Sequence, residues 1–579
     1  MGQGACLRLQ KKRAILASAT TRGACIRARR PAIAAASSGG NPGCLQSCHR
    51  VWLDGAPRVA CATSAHCENP HPVPAGRAAY WRPRRSRPYP MKPTIVFEQQ
   101  TIAPDAFFER YQRSAAALQA LGVGEGDVVA LMLHNTPLNL ELMLATRWLG
   151  AAWCPVNWHF KHDEVQYILR DSGARLFIAE PELLQALGDV APAGLPVFDT
   201  TAWTARRDGT PPIATPAAAP RGAMLYTSGT TGRPKGIRRA PSTPEQVVTS
   251  LARSRLAYGL EPGMRALLSA PMYHSAPNAY ALGVAQQSGT LFLERRFDAE
   301  DTLRLIAEHR ISHAYLVPTM YVRLLRLPAA VRERHDLSSM RFVGSTGSPC
   351  PPDVKRAMIE WWGPVIHEAY GSSELGYMSF LRPDEALRKP GSAGRPIEGV
   401  DMRILDDAGR AVPQGQAGLI YVRPSNLPDF TYQGNDGARR GMEREGFLTM
   451  GDVGYLDEDG YLFIVDRSAD MVISGGVNIY PAEIEACLQA MPGVADCAVF
   501  GIPDPEFGEA LAAAVQPSAD EAGRALTPEN VRAWLQPRLA NYKLPRIVTL
   551  HDALPREDTG KIFKRRLREP YWAGQSRRI

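Results

Sequence analysis

The sequence has no run of about 18 apolar residues, so no transmembrane helix is predicted. No internal repeat is evident. Cysteine is scarce over most of the chain. Beyond residue 90 only Cys154, Cys350, Cys487 and Cys497 occur, a scatter that excludes a disulfide scaffold and fits a reducing compartment. A cytoplasmic location is expected on that ground. Acidic residues are nearly missing from residues 1–90, where fifteen Lys and Arg face only Asp54 and Glu68. The local charge of +13 exceeds the +9 of the whole chain, so the remainder is net acidic by four. A nucleic-acid or membrane-surface role would therefore rest on that segment alone, and the body is expected to have no nucleic-acid partner.

Residues 1–90 also hold six of the ten cysteines and nine prolines, with no sustained apolar period. Three readings stand. An Arg-rich, acid-poor leader resembles an organelle transit peptide. The pairs Cys44/Cys48 and Cys61/Cys67 could bind zinc with His49, His66 or His71, although their spacing is irregular. The third reading, which we favour, is a disordered or non-native extension preceding Met91, where an ordinary sequence begins with MKPTIVFEQQ.

From Met91 onward, short apolar runs alternate with amphipathic stretches. DVVALMLHN (127–135), ARLFIAE (174–180), HAYLVP (313–318) and RFVGST (341–346) predict buried strands, and residues 106–121 and 299–310 predict helices. That alternation predicts α/β layers with largely parallel sheets. Near residue 467 the texture changes to a compact α+β unit of strands 461–467, 495–504 and 510–517 and helices at 482–491 and 528–540. The expected division is 91–467 and 468–579.

One stretch stands out: YTSGTTGRPKG at 226–236, which follows a Pro/Ala-rich loop and a predicted strand. Glycines bring backbone N–H groups close to a ligand, hydroxyls add donors, and Lys235 adds a point charge, a combination suited to phosphate. It is not the phosphate loop GxxxxGK[ST], because Pro234 precedes the lysine and Gly236 follows it. Alone it could equally be a solvated turn. Further segments follow in order: PMYHSAP (271–277), GSTGSPCPP (344–352), HEAYGSSELG (367–376), MGDVGYLDEDG (450–460), VDRSADMVISGGVNIYPAEIE (465–485) and LPREDTGKIFKRRLRE (554–569).

Together these segments resemble the adenylate-forming superfamily of acyl-CoA synthetases, peptide-synthetase adenylation domains and luciferases, over residues 93 to 570. The resemblance implies an α/β fold, with a large N-terminal domain of stacked α/β subdomains and a small mobile α+β C-terminal domain. It implies an acid–thiol ligase that joins a carboxylate to ATP as acyl-AMP, releases pyrophosphate, and then forms a thioester with coenzyme A. It also implies roles for residues. Thr227, Ser228, Thr230 and Thr231 would wrap the β- and γ-phosphates, with Gly229 and Gly232 in the same ATP-binding loop and Lys235 close to the departing pyrophosphate, and Glu374 would be the Mg²⁺ ligand. Tyr370 would stack on adenine, with Gly371, Ser372 and Ser373 continuing its motif and Gly347, Ser348 and Pro349 along the base edge. Asp452 and Arg467 would hold the ribose. Lys561 would bridge the substrate carboxylate and the α-phosphate, since a lysine has three donors and no acceptor. Gly475 and Gly476 would pass the pantetheine of CoA, and His274 would gate the thiol tunnel. The hinge position, usually Asp or Lys, is Ala469 here.

The motif forms are most similar to medium- and long-chain fatty acid ligases and to ligases of bile-acid-like or aromatic acids. A fatty acid is the first expectation, and an aromatic or steroid-like acid, or transfer to a carrier-protein thiol, is the alternative. Monomer, homodimer and peripheral membrane contact all stay open.

Overall fold

The computed structural model describes residues 91–573 except 218, 228–233, 349, 407, 468–469, 475–476, 505–506, 540 and 557–561. The expectations for residues 1–90, for Ser228, Gly229, Thr230, Thr231 and Gly232, and for Pro349, Ala469, Gly475, Gly476 and Lys561 lie outside the described residues. Arg467 is described by its backbone alone.

The apolar runs VVALM and LFIA form strands Val128–Met132 and Leu176–Ala179, buried almost throughout, as strands covered by helices on both faces must be. They centre a four-stranded parallel sheet with Ala152–Pro155 and Val197–Asp199 at its edges. A second sheet has nine strands. Its middle six, Ile366–Ser372, Phe342–Ser345, His313–Tyr315, Arg265–Leu268, Thr290–Leu293 and Thr94–Phe97, are parallel neighbours in that order. Antiparallel strands close it, Gly376–Leu381 followed by Arg395–Pro396 at one edge and Gln100–Ile102 at the other. Helices Pro104–Ala120 and Ala299–His309 form where the sequence predicts them. In the second, Asp298 caps the start by accepting from the Glu300 and Asp301 N–H groups, and Arg310 ends the helix at φ 45°.

The largely parallel expectation holds for these two sheets and fails in two others. Val400–Leu405, Gly418–Pro424, Glu443–Arg444, Phe447–Leu456 and Leu462–Arg467 make a wholly antiparallel five-stranded sheet. A three-stranded antiparallel sheet joins Tyr226–Thr227, Lys235–Arg239 and Phe430–Tyr432. Short turns can link antiparallel neighbours, so no crossover helix marks them in the sequence.

A second apolar core lies in the C-terminal unit, built from Val472, Ile484, Leu488, Val499, Val515, Val531 and Leu535. Strands Val494–Asp504 and Gly508–Pro517 form its long hairpin, and Ile547–Leu550 lies parallel to the latter. Helix Pro528–Leu535 starts on a reciprocal cap in which the Asn530 N–H donates to Thr527 Oγ1 and the Thr527 N–H to Asn530 Oδ1. The molecule is thus a large α/β unit followed by a small α+β one. Among the described residues no helix is long and apolar enough to cross a membrane.

Candidate active site

The glycine-rich stretch begins and ends in strands. Thr227 pairs with Lys235 across the Tyr226–Thr227/Lys235–Arg239 hairpin, which brings the two ends of residues 228–233 together. The third strand of that sheet places Tyr432 opposite Ile237. These strands converge on Glu374, which is 4% exposed. Thr227 Oγ1 and the Tyr432 hydroxyl both donate to Glu374 Oε1, each at 3.1 Å. Lys235 Nζ stands 5.2 Å from the centre of the Tyr432 ring. Burial, and then the Glu374 charge, push the Tyr432 phenol well above its ordinary range, so it stays a donor.

Arg239, on the same strand as Lys235, fixes the backbone beneath this carboxylate. Its Nη2 donates to the carbonyls of Ser373 (2.8 Å) and Glu374 (2.5 Å), and its Nη1 to that of Pro428 (3.1 Å). Burial lowers the pKa of its guanidinium, while Glu374 and Asp429 oppose the shift.

The neighbouring wall is the carboxyl end of the parallel sheet, where open α/β sheets bind ligands. Parallel pairing of Ser345 with Glu368 sets residues 346–348 beside 369–371. Gly347 turns the chain at φ 99°, a region that favours glycine. Register shifts between Tyr370 and Gly371, and a Cβ on Gly371 would lie 2.3 Å from the Gly376 carbonyl oxygen, so only glycine fits this bend. Ser372 is used within its own turn, its Oγ accepting from the Leu375 N–H at 3.0 Å. The Tyr370 hydroxyl donates to Asp452 Oδ2 at 2.6 Å, and Asp452 is opposite the Arg467 backbone in the antiparallel sheet. Glu374, Thr227 and Lys235 are therefore brought together, as are Tyr370, Asp452 and the Arg467 backbone.

His274 occupies another element. It is the N-cap residue of helix Ser275–Gln286, with its ring 4.2 Å from that of Tyr273. Beyond Tyr273 lies Trp158, flanked by His159 and by His134, with Arg296 over its ring. His134, Glu180 and Glu182 have potential ligand atoms within 4.8 Å of one another. Arg295 and Arg296 already face this group, at 3.4 Å from Glu180 Oε2 and from His134 Nε2. Burial works to raise the Glu180 carboxyl, but hydrogen bonds from the His134 ring and backbone outweigh it and hold Glu180 below its usual value. Among the described residues the group forms an ion-pair network.

Sequence reading missed Arg239 and Tyr432. The alternation of Lys235, Ile237 and Arg239 on one strand is the signal for the first. Tyr432 stands in a short strand 58 residues from Glu374, and no local pattern marks it.

Residues 83–427 match the sequence profile of the AMP-binding enzyme family, and residues 483–561 that of the AMP-binding enzyme C-terminal domain. A feruloyl-CoA synthase of an Amycolatopsis species is 35% identical over 500 residues, covering 85% of this chain and 98% of its own. A long-chain-fatty-acid–CoA ligase of Mycobacterium tuberculosis is 32% identical, covering 80% and 91%. The crystal structure of ATP-bound MatB from Rhodopseudomonas palustris superposes with a TM-score of 0.75 at 30% identity, covering 84% of this chain and 97% of that one.

Proposed function

The chain belongs to the AMP-binding enzyme family and is an AMP-forming acid–thiol ligase; from that premise we propose that it activates an aromatic carboxylic acid and passes it to coenzyme A. The observation that carries the site assignment is the meeting of Thr227, Lys235 and Tyr432 around the buried Glu374, at the base of the glycine-rich stretch.

In this reading the γ- and β-phosphates of ATP lie along residues 227–235, with Lys235 close to the departing pyrophosphate. A carboxylate must approach an already anionic phosphate, so charge has to be neutralised and the two groups held in line. Glu374 offers a carboxylate and Thr227 a hydroxyl, the hard oxygen donors that Mg²⁺ prefers. Both hydrogen bonds to Glu374 fall on Oε1, leaving Oε2 without a hydrogen-bond partner among the described residues. These residues fit Mg²⁺, which when bound would offset phosphate charge. Tyr370 presents its ring to adenine while its hydroxyl steadies Asp452, which serves the ribose hydroxyls. Lys561 bridges the two reacting anions in the first step. Gly475 and Gly476 serve the thiol step after the small domain has rotated, and His274 gates the path of the thiol. The division of the chain at about 467 is the boundary on which that rotation turns.

The motifs alone put a fatty acid first. That order is reversed here because the feruloyl-CoA synthase is the more similar of the two relatives, at 35% against 32% identity. The fatty-acid reading is kept second, supported by the mycobacterial ligase. The role assignment is tested with Lys561→Ala, assayed separately for acyl-AMP formation and for thioester formation from supplied acyl-AMP. Loss of the first with the second retained supports it; equal loss of both in a folded variant contradicts it.

A further inference from the structure

On the ligase reading, the acid site is bounded by three segments: the start of the helix headed by His274, the strand end Phe342–Ser345, and the bend at Tyr370–Gly371. Tyr258 touches the first two and reaches the third through Tyr377. Tyr258, at the end of helix Pro244–Tyr258, donates its hydroxyl proton to the Ala276 carbonyl at 2.8 Å. Its ring lies so close to Gly344 that a Cβ there would stand 3.3 Å from Tyr258 Cδ1. Its hydroxyl also accepts from that of Tyr377, which sits opposite Gly371 in the antiparallel hairpin. Tyr258 and Tyr377 therefore form a bar from the His274 helix to the strand after Tyr370.

The bar is backed by more aromatic volume. The Tyr280 ring centroid is 5.3 Å and the Tyr315 centroid 6.0 Å from that of Tyr258, in edge-on packing, and the Tyr258–Tyr377 pair is perpendicular at 5.4 Å. Tyr258, Tyr280 and Tyr315 are buried, whereas Tyr377 is half-buried. A long alkyl chain would have to displace rings that are already packed edge to face and hydrogen-bonded, and a packed interior resists such insertion.

We propose that the Tyr258–Tyr377 pair closes the far end of the acid site and sets the depth of acid accepted, so that this enzyme takes ring-sized acids and rejects long chains. The inference rests on the acid–CoA ligase reading and adds the residues that set its specificity.

The test is kcat/KM of the full chain, by CoA-dependent AMP formation, for benzoic- and cinnamic-type acids and for saturated acids from six to sixteen carbons. The wild type is expected to favour ring acids over the sixteen-carbon acid by roughly 100-fold or more, the scale on which pocket shape discriminates. Tyr258→Ala is expected to raise the twelve- to sixteen-carbon acids relative to the ring acids by roughly 10-fold or more, while Tyr258→Phe, which keeps the ring, keeps the length profile. The wild-type series stands on its own if Tyr258→Ala does not fold. A wild type that uses the sixteen-carbon acid within roughly 10-fold of its best ring acid overturns the depth limit and leaves the ligase reading intact. Absence of CoA-dependent turnover with every acid overturns the ligase reading and the inference together.

Discussion

Thr227 and Glu374 are 147 positions apart in the sequence and 3.1 Å apart in the structure, hydroxyl to carboxylate. The contact joins the glycine-rich hairpin to the end of the nine-stranded sheet, two pieces of chain that carry separate motifs. Tyr432 meets the same oxygen from a third piece. Both neutral donors meet the carboxylate on the same oxygen, Oε1.

That arrangement predicts the outcome of Glu374→Gln. The amide preserves size and can still accept from Thr227 and Tyr432, but it carries no charge. Acyl-AMP formation, followed by acid-dependent pyrophosphate exchange, is expected to fall roughly 100- to 1,000-fold, the scale for loss of a preorganised charged group. The melting temperature should move little. Retained exchange at saturating Mg²⁺ would contradict the metal-ligand assignment.

The Tyr370–Asp452 bond makes a separate prediction. Asp452→Ala removes the acceptor proposed for ribose, and KM for ATP is expected to rise about 10- to 100-fold, as for loss of hydrogen bonds to a charged group. Tyr370→Phe keeps the ring and loses only the hydroxyl, so its KM should change far less. If the two variants shifted KM equally, the hydroxyl and not the ring would be the group that matters at Tyr370.

Arg239 is predicted to matter for both stability and rate. Arg239→Met leaves three carbonyls, of Ser373, Glu374 and Pro428, without their donors. Destabilisation of about 2–4 kcal/mol is expected from denaturant titration, since buried groups left unpaired lose their full solvation. Because two of those carbonyls belong to Ser373 and Glu374, adenylation should slow even under conditions where the variant is folded.

Two buried groups of the large unit are shifted in opposite senses. Glu294 is pushed up to about 7, first by burial, against hydrogen bonds from Ser269 and Thr302. A raised carboxyl contributes stability that is full below its unfolded pKa near 4.5 and is lost as pH rises to about 7. His313 is pushed down to about 4, chiefly by burial. It contributes stability that is full above its unfolded value of 6.5 and is lost as pH falls toward 4. Between pH 4.5 and 6.5 the two oppose each other. Glu294→Gln, neutral at every pH, should therefore unmask a steeper acid-side fall in melting temperature than the wild type shows. It should also gain on the wild type by up to about 3 kcal/mol between pH 4.5 and 7. Parallel wild-type and variant profiles over that range would contradict the Glu294 assignment.

Much of this was legible in the sequence because it is local. VVALM and LFIA announce buried parallel strands, and AEDTLRLIAEH with Asp298 before it announces a capped helix. The order of the motifs announced the family. The antiparallel sheet of residues 400–467 did not show. Its strand VDMRIL alternates between exposed and partly covered residues before ending buried, a period too short to separate from a polar loop. Nor did the third dimension of the site. Arg239 and Tyr432 owe their positions to strand pairing across about 190 residues, and Tyr258 owes its place against Ala276, Gly344 and Tyr377 to packing, which no window of sequence contains.

The most direct measurement is pyrophosphate release by the full chain with ATP and Mg²⁺ over a panel of aromatic and aliphatic acids, with and without coenzyme A. An AMP-forming acid–CoA ligase predicts steady turnover on one class of acid, ring-sized acids foremost, that requires CoA and yields AMP, pyrophosphate and the acyl thioester in equal amounts. Turnover independent of CoA would show that the acyl-adenylate goes to another acceptor, and silence across the panel would contradict the account.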